Sequence, residues 1–148
     1  MLMAPAEEAG AMSQSPKRKR SPKHILALPD LEQSLAQVYL GAQYAGGQGV
    51  RRNYKEAAKW YRLAAEQGDA YGQGNLGLIY EKGTGVALDH VLAHMWYNLA
   101  SSRSTGQDQK SWSGLRDSLA AKMTPAQVAE AQRLAREWKP AAQRVPQP

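Results

Sequence analysis

Few side chains in this sequence have types and spacings that could do chemistry. His90 and His94 stand at i, i+4, which puts two imidazoles on one helical face, as in zinc-binding helices. Position 91 is Val, so the glutamate of a His-Glu-x-x-His motif is missing, and no third ligand lies nearby. Gly47-Gln48-Gly49 and Gly83-Thr84-Gly85 each precede a helical pattern, and helix N-termini attract anions. No strand precedes either turn and no Lys-Ser/Thr follows, so the dinucleotide and phosphate-loop contexts both fail. Both read as turn elements. Glu32, Glu56, Glu66, Asp69, Glu81 and Asp89 fall mostly at caps or on polar faces, and no carboxylate pair stands out. The chain has no cysteine, which excludes disulfides, zinc–thiolate sites and thiol nucleophiles. We expect no catalytic residue, no cofactor site and no metal ligand. A hydrolase acting on a peptide or envelope substrate is the enzymatic alternative. It needs a nucleophile or carboxylate pair in a cleft.

The densest charge cluster is Pro16-Lys17-Arg18-Lys19-Arg20-Ser21-Pro22-Lys23. It suits nucleic acid, an anionic surface or, in a eukaryote, nuclear import. Its plain alternative is a solvated tail, and it has no aromatic residue for base stacking. The formal net charge is +6. Five cations against Glu7 and Glu8 place half of that surplus in residues 1–24. The high isoelectric point is thus largely a property of this segment and does not mark the folded part as a nucleic-acid binder.

These groups sit on a repeating frame. Leu40-Gly41-x-x-Tyr44-x-x-Gly47-x-Gly49-Val50, then Ala57-x-x-Trp60-Tyr61-x-x-Ala64, returns 36 residues later. The second copy is Leu76-Gly77-x-x-Tyr80-x-x-Gly83-x-Gly85-Val86, then Ala93-x-x-Trp96-Tyr97-x-x-Ala100. Eleven of twenty-five positions are identical without a gap. A fixed period of this length signals a solenoid. In the first helix of each unit, Ala36, Leu40 and Tyr44 share one face. Glycine inside a helix costs about 1 kcal/mol relative to Ala, so Gly41 and Gly77 predict a partner helix passing too close for a Cβ. Gly47 and Gly49, like Gly83 and Gly85, end that helix. Asn53 and its counterpart Asp89 cap the next one. There Ala57, Trp60, Tyr61 and Ala64 form an apolar stripe. Gly68 stops this helix, Asp69 caps its successor, and Asp30 with Gln33 forms a weak box at the front.

A helical pair of different sequence follows, about 108–122 and 125–138. Thr124, Pro125 and Gln127 open its second helix, and Val128, Ala131, Leu134, Ala135 and Trp138 form the inner stripe. The helical phase of Trp60, Trp96, Trp112 and Trp138 argues for core packing rather than an aromatic cage. The expected organisation has three parts. Residues 1–27 are a disordered basic segment. Residues 28–139 are an all-α superhelix, with repeats at about 33–68 and 69–104 and a C-terminal capping pair at about 108–139. Residues 140–148 are a disordered tail.

These motifs resemble the Sel1-like repeat, a relative of the tetratricopeptide repeat. The first copy matches from Ala36 through Ala64, Ala65 and Gly68. The second departs at Gly72, where Ala is expected, at Ser101, which replaces the second Ala, and at the missing terminal glycine. The segment Leu119–Trp138 resembles the closing helices of bacterial members. The resemblance implies a scaffold that binds a protein or peptide on its concave face, although fold alone does not fix function. Some cysteine-rich relatives have been assigned β-lactamase activity. The lack of cysteine and of a Ser-x-x-Lys motif separates this chain from them.

With Leu40, Gly41 and Tyr44 committed to packing, the groove face of the first copy carries Val38, Tyr39 and Ala42. The second carries Gly74, Asn75 and Leu78. The alternative is that these six pack against neighbouring helices. No run approaches the ~18–20 apolar residues of a membrane span, and the start lacks a secretory apolar core. Read from Met1, the protein would be cytoplasmic. With a signal upstream it would be periplasmic or secreted.

Overall fold

The computed structural model describes residues 30–144. Within them the chain forms six α-helices and no strand. They are α1 (Asp30–Gly46), α2 (Tyr54–Glu66), α3 (Ala70–Lys82), α4 (His90–Ser102), α5 (Gly106–Ala120) and α6 (Pro125–Glu137). A 3-10 turn, Ala141–Gln143, follows. The basic cluster Lys17–Lys23 and residues 145–148 lie outside the described residues, as does side-chain detail at Asp30. No helix among the described residues is long and apolar enough to cross a membrane.

The caps fall where short polar side chains stand before apolar stripes. Asn53 accepts from the Glu56 amide at 3.1 Å, Asp69 from Gly72 at 2.9 Å and Asp89 from Leu92 at 3.0 Å. Each such cap is worth about 1 kcal/mol. Thr124 and Gln127 exchange bonds as a full capping box. The joint inside each repeat closes identically. The Asn53 amide donates to the Tyr44 carbonyl at 2.9 Å, and the Asp89 amide to the Tyr80 carbonyl at 3.0 Å. Gly47 and Gly83 take φ of 68° and 66°, the left-handed turn that glycine permits at no steric cost.

Helices stack in sequence, α1 on α2, α2 on α3, α3 on α4 and α4 on α5. The glycines inside α1 and α3 are explained by this packing. A Cβ on Gly41 would stand 2.8 Å from Tyr61 Cδ1, and one on Gly77 would stand 2.8 Å from Tyr97 Cδ1. Gly72, the departure from Ala, is likewise required. Its Cβ would meet the Ala64 Cβ at 2.8 Å, so α3 lies tight on the end of α2. Ser101 stays buried, and its hydroxyl donates to the Gln109 carbonyl. Where the second copy lacks its final glycine, the Arg103 amide donates to carbonyls of α4 and the Ser104 hydroxyl to Ala100 at 2.7 Å.

The last two helices do not form a third hairpin of the same kind. Both α5 and α6 pack chiefly on α4. Trp112 holds the position of Leu40 and Leu76 two periods on, and its ring stacks beside Tyr97 at 6.4 Å. Trp138 meets Trp96 edge to face at 6.0 Å, and Arg103 lies over the Trp138 ring. The main core gathers Tyr61, Leu76, Trp96, Tyr97 and Leu119, and a smaller one joins Ala36 to Trp60.

The glycine contacts predict opposite outcomes for one chemical change. Gly41→Ala or Gly77→Ala forces a methyl into a buried tyrosine ring and should destabilise by about 1–3 kcal/mol. Gly114→Ala, in α5 with nothing within 4 Å, should stabilise by about 0.5–1 kcal/mol. Urea unfolding of the three variants separates the two effects. Equal stability of Gly77→Ala and the parent would contradict the close approach.

Candidate functional site

The six residues that the sequence places on the groove face lie on α1 and α3. Ala42 is exposed, and Val38, Tyr39, Asn75 and Leu78 are half-buried. Val38 and Leu78 rest on the core with one side. Gly74 is buried, because the Trp112 ring sits directly on its α-carbon. Asn75 and Leu78 come together in a shallow cleft of about 150 Å³, with Ala45, Tyr54, Lys82 and Thr84 beside them. Val38, Tyr39, Ala42 and Gly74 do not line this cleft. Asn75 Nδ2 donates to the Tyr71 carbonyl at 2.9 Å.

Two residues of this face escaped the sequence reading. Leu35 is 64% exposed and Tyr71 51% exposed, and they stand one period apart. The signal was present, since Leu35, Tyr39 and Ala42 repeat as Tyr71, Asn75 and Leu78 at i, i+4, i+7. Extending the stripe by one turn finds them. The Tyr71 hydroxyl donates to Asp108 Oδ2 at 2.6 Å. That carboxylate holds the phenol proton, raising its pKa.

A larger cleft of about 520 Å³ lies at the joint between the repeats, beside Ser34, Gln67 and Asp69. Gln67 is its hub. It accepts from the Ser34 hydroxyl at 2.7 Å and donates to Gln33 at 2.7 Å and Gln37 at 3.2 Å. Pro140, Ala141 and Ala142 lean over the same cleft, and Arg144 pairs with Glu66. Gln37 and Gln73, one period apart, are both fully buried.

His94 is buried in α4 and its Nδ1 has no partner, whereas His90 at the helix start is half-buried. Among the described residues no group of three or more His, Asp or Glu is placed to hold a metal ion. The carboxylates serve the frame. Asp69 and Asp89 cap helices, Glu81 accepts from the Tyr97 hydroxyl at 2.7 Å, and Glu130 and Glu137 hold Arg133. Burial pushes the Tyr61 phenol up to about 12.

The family model described as the Sel1 repeat matches residues 34–69 and 70–104. This is a Sel1-like repeat protein. Such repeats commonly serve as protein-interaction modules. Among solved structures the Sel1-like chain is similar to a protective antigen of uropathogenic Escherichia coli that displays this fold. There the identity is 30%, the TM-score 0.66, and 78% of this chain and 25% of that one are covered. It is also similar to a Sel1 repeat protein from Oxalobacter formigenes, at 37% identity and TM-score 0.56, covering 70% of this chain and 43% of that one. The chain thus spans a quarter of the first protein's length and less than half of the second's. No curated protein matches it.

Burial of His94 disfavours its charged form, and Arg116 adds to this against a smaller opposing pull from Asp117. Its folded pKa therefore lies below the unfolded value near 6.5. The unfolded chain binds the proton more readily, so stability is full above that value and falls as pH drops through it. His94→Gln should flatten the loss of thermal stability between pH 7 and 5. An unchanged pH slope in the variant would show that other groups set it.

Proposed function

We propose that this protein is a non-catalytic scaffold that holds a protein or peptide on the concave, first-helix face of its repeats. The observation that carries this reading is the repeated stripe, Leu35, Tyr39 and Ala42 followed by Tyr71, Asn75 and Leu78, in which Leu35, Ala42 and Tyr71 are exposed and the other three half-buried. The frame does not need large apolar groups there, yet two remain more than half in solvent. Contiguous exposed apolar surface rimmed by polar groups marks interaction sites. The cleft at Asn75 and Leu78 offers a seat for one side chain, with Lys82 at its edge. The occupation of carboxylates by caps, phenols and arginines supports a scaffold over a hydrolase. The lengths of the two similar structures support a role as one segment of a longer binding surface.

A peptide selected from a displayed library against the purified chain supplies the ligand for the test. Ala42→Arg with Asn75→Arg places two bulky cations on the face and touches no core contact. Affinity should fall about tenfold or more, with the melting temperature unchanged. Retained affinity would remove this face as the binding surface.

A further inference from the structure

The outer face of α2 differs from that of α4 in a way the repeat does not demand. Arg51, Arg52, Lys55, Lys59 and Arg62 are all exposed, and Glu56 is the single acid from 51 to 65. Lys55, Lys59 and Arg62 stand at i, i+4, i+7 and share one side of the helix. One period on, the same five positions are Ala87, Leu88, Val91, Met95 and Asn98. Met95 is buried, and α6 packs on α4. By contrast, α2 packs principally on α1 and α3, and the Lys59 side chain is 70% exposed. Within the helix, the scaffold therefore carries Val91, Met95 and Asn98 where α5 and α6 pack on α4, and cations on α2, while Leu88, at the place of Arg52, stays 58% exposed.

A face kept merely soluble needs charge of either sign, and mixed signs serve best. Here one sign prevails, and part of it is held in place. The Arg62 guanidinium donates to the Tyr80 hydroxyl and lies 5.5 Å from that ring's centre. Arg52 lies 5.9 Å from the centre of the Tyr54 ring. Beside these cations runs a cleft of about 350 Å³, lined by Ala58, Val86, Lys55, Lys59 and Arg62, and by Glu56, whose carboxylate pairs with Lys59 at 3.6 Å. It thus joins a small apolar patch to a basic wall.

We infer that the α2 face docks an acidic peptide segment of a protein partner. The carboxylates of the segment meet Lys55, Lys59 and Arg62, and an apolar side chain enters beside Ala58 and Val86. A recessed cleft suits an extended chain, because a flat anionic bilayer would leave it unfilled. Nucleic acid is disfavoured, since Tyr80 is buried and Arg52 stands beside the Tyr54 ring, and base stacking needs a free ring. This cleft shares no lining residue with the one at Asn75 and Leu78.

The test is fluorescence anisotropy of the full chain with a labelled peptide of alternating Glu and Leu. The parent should bind it, more weakly as salt rises. Lys55→Glu with Lys59→Glu should weaken binding about tenfold or more, with an unchanged circular-dichroism melt. Lys55→Gln with Lys59→Gln gives a smaller loss and serves if charge reversal disturbs folding. Lys110→Glu with Lys122→Glu should leave the affinity unaltered. Three results would overturn the proposal. The parent fails to bind the peptide, or the lysine reversals leave its affinity intact. Alternatively, phosphatidylserine vesicles or polyuridine bind more tightly than the peptide through the same lysines.

Discussion

The contact on which the frame depends is a tyrosine ring laid against a glycine of the facing helix. It occurs twice, Tyr61 on Gly41 and Tyr97 on Gly77. Absence of a Cβ lets the two helices of a repeat approach until the ring touches backbone. The ring then carries much of the apolar burial of that repeat. Helix-interior glycine is unfavourable by itself, so the local loss is offset only when the partner helix arrives. Local and tertiary structure are coupled at this point. A single unit would expose its Trp and Tyr, and stacking is what covers them.

The position of each helix follows from that constraint. With Leu40, Tyr44, Leu76 and Tyr80 turned inward, another strip of each first helix carries Tyr39, Ala42, Asn75 and Leu78, of which Ala42 is exposed and the others half-buried. The second helices have an outer side as well, and the two copies treat it differently. On α4 it carries Val91, Met95 and Asn98, where α5 and α6 pack and Arg116 donates to Asn98 at 2.9 Å. On α2 it is basic and open. α4 is therefore the centre of the molecule, contacted by α3, α5 and α6, while α2 presents surface.

Burial also sets the polar groups that the frame must tolerate. Gln37 and Gln73 lie fully buried one period apart, one bonded to Gln67 and the other to the Ala65 carbonyl at 3.3 Å. The Gln37 amide ties the start of the first repeat to its own end, and the Gln73 amide ties the start of the second repeat to the end of the first. A buried amide is costly unless bonded, and each of these is bonded through one atom only, Gln37 Nε2 and Gln73 Oε1 having no partner among the described residues. His94, in the slot of Ala58, likewise leaves Nδ1 without a partner, and burial there disfavours its charged form.

The sequence by itself determined the period, the caps at Asn53, Asp69, Asp89 and Thr124, the turn glycines and the inward aromatics. Each of these is a local rule that repeats, and identity at a spacing of 36 made the rule visible. Only the tertiary structure decided where α5 and α6 dock, because they carry no repeat to set their partner. That docking buried Gly74 beneath Trp112, a contact between residues 38 apart in sequence that no helical wheel contains. It also covered one copy of the outer face and left the other bare. Wheel geometry names the side chains on a face. Which faces stay open depends on long-range packing, and that is settled by shape and volume rather than by spacing.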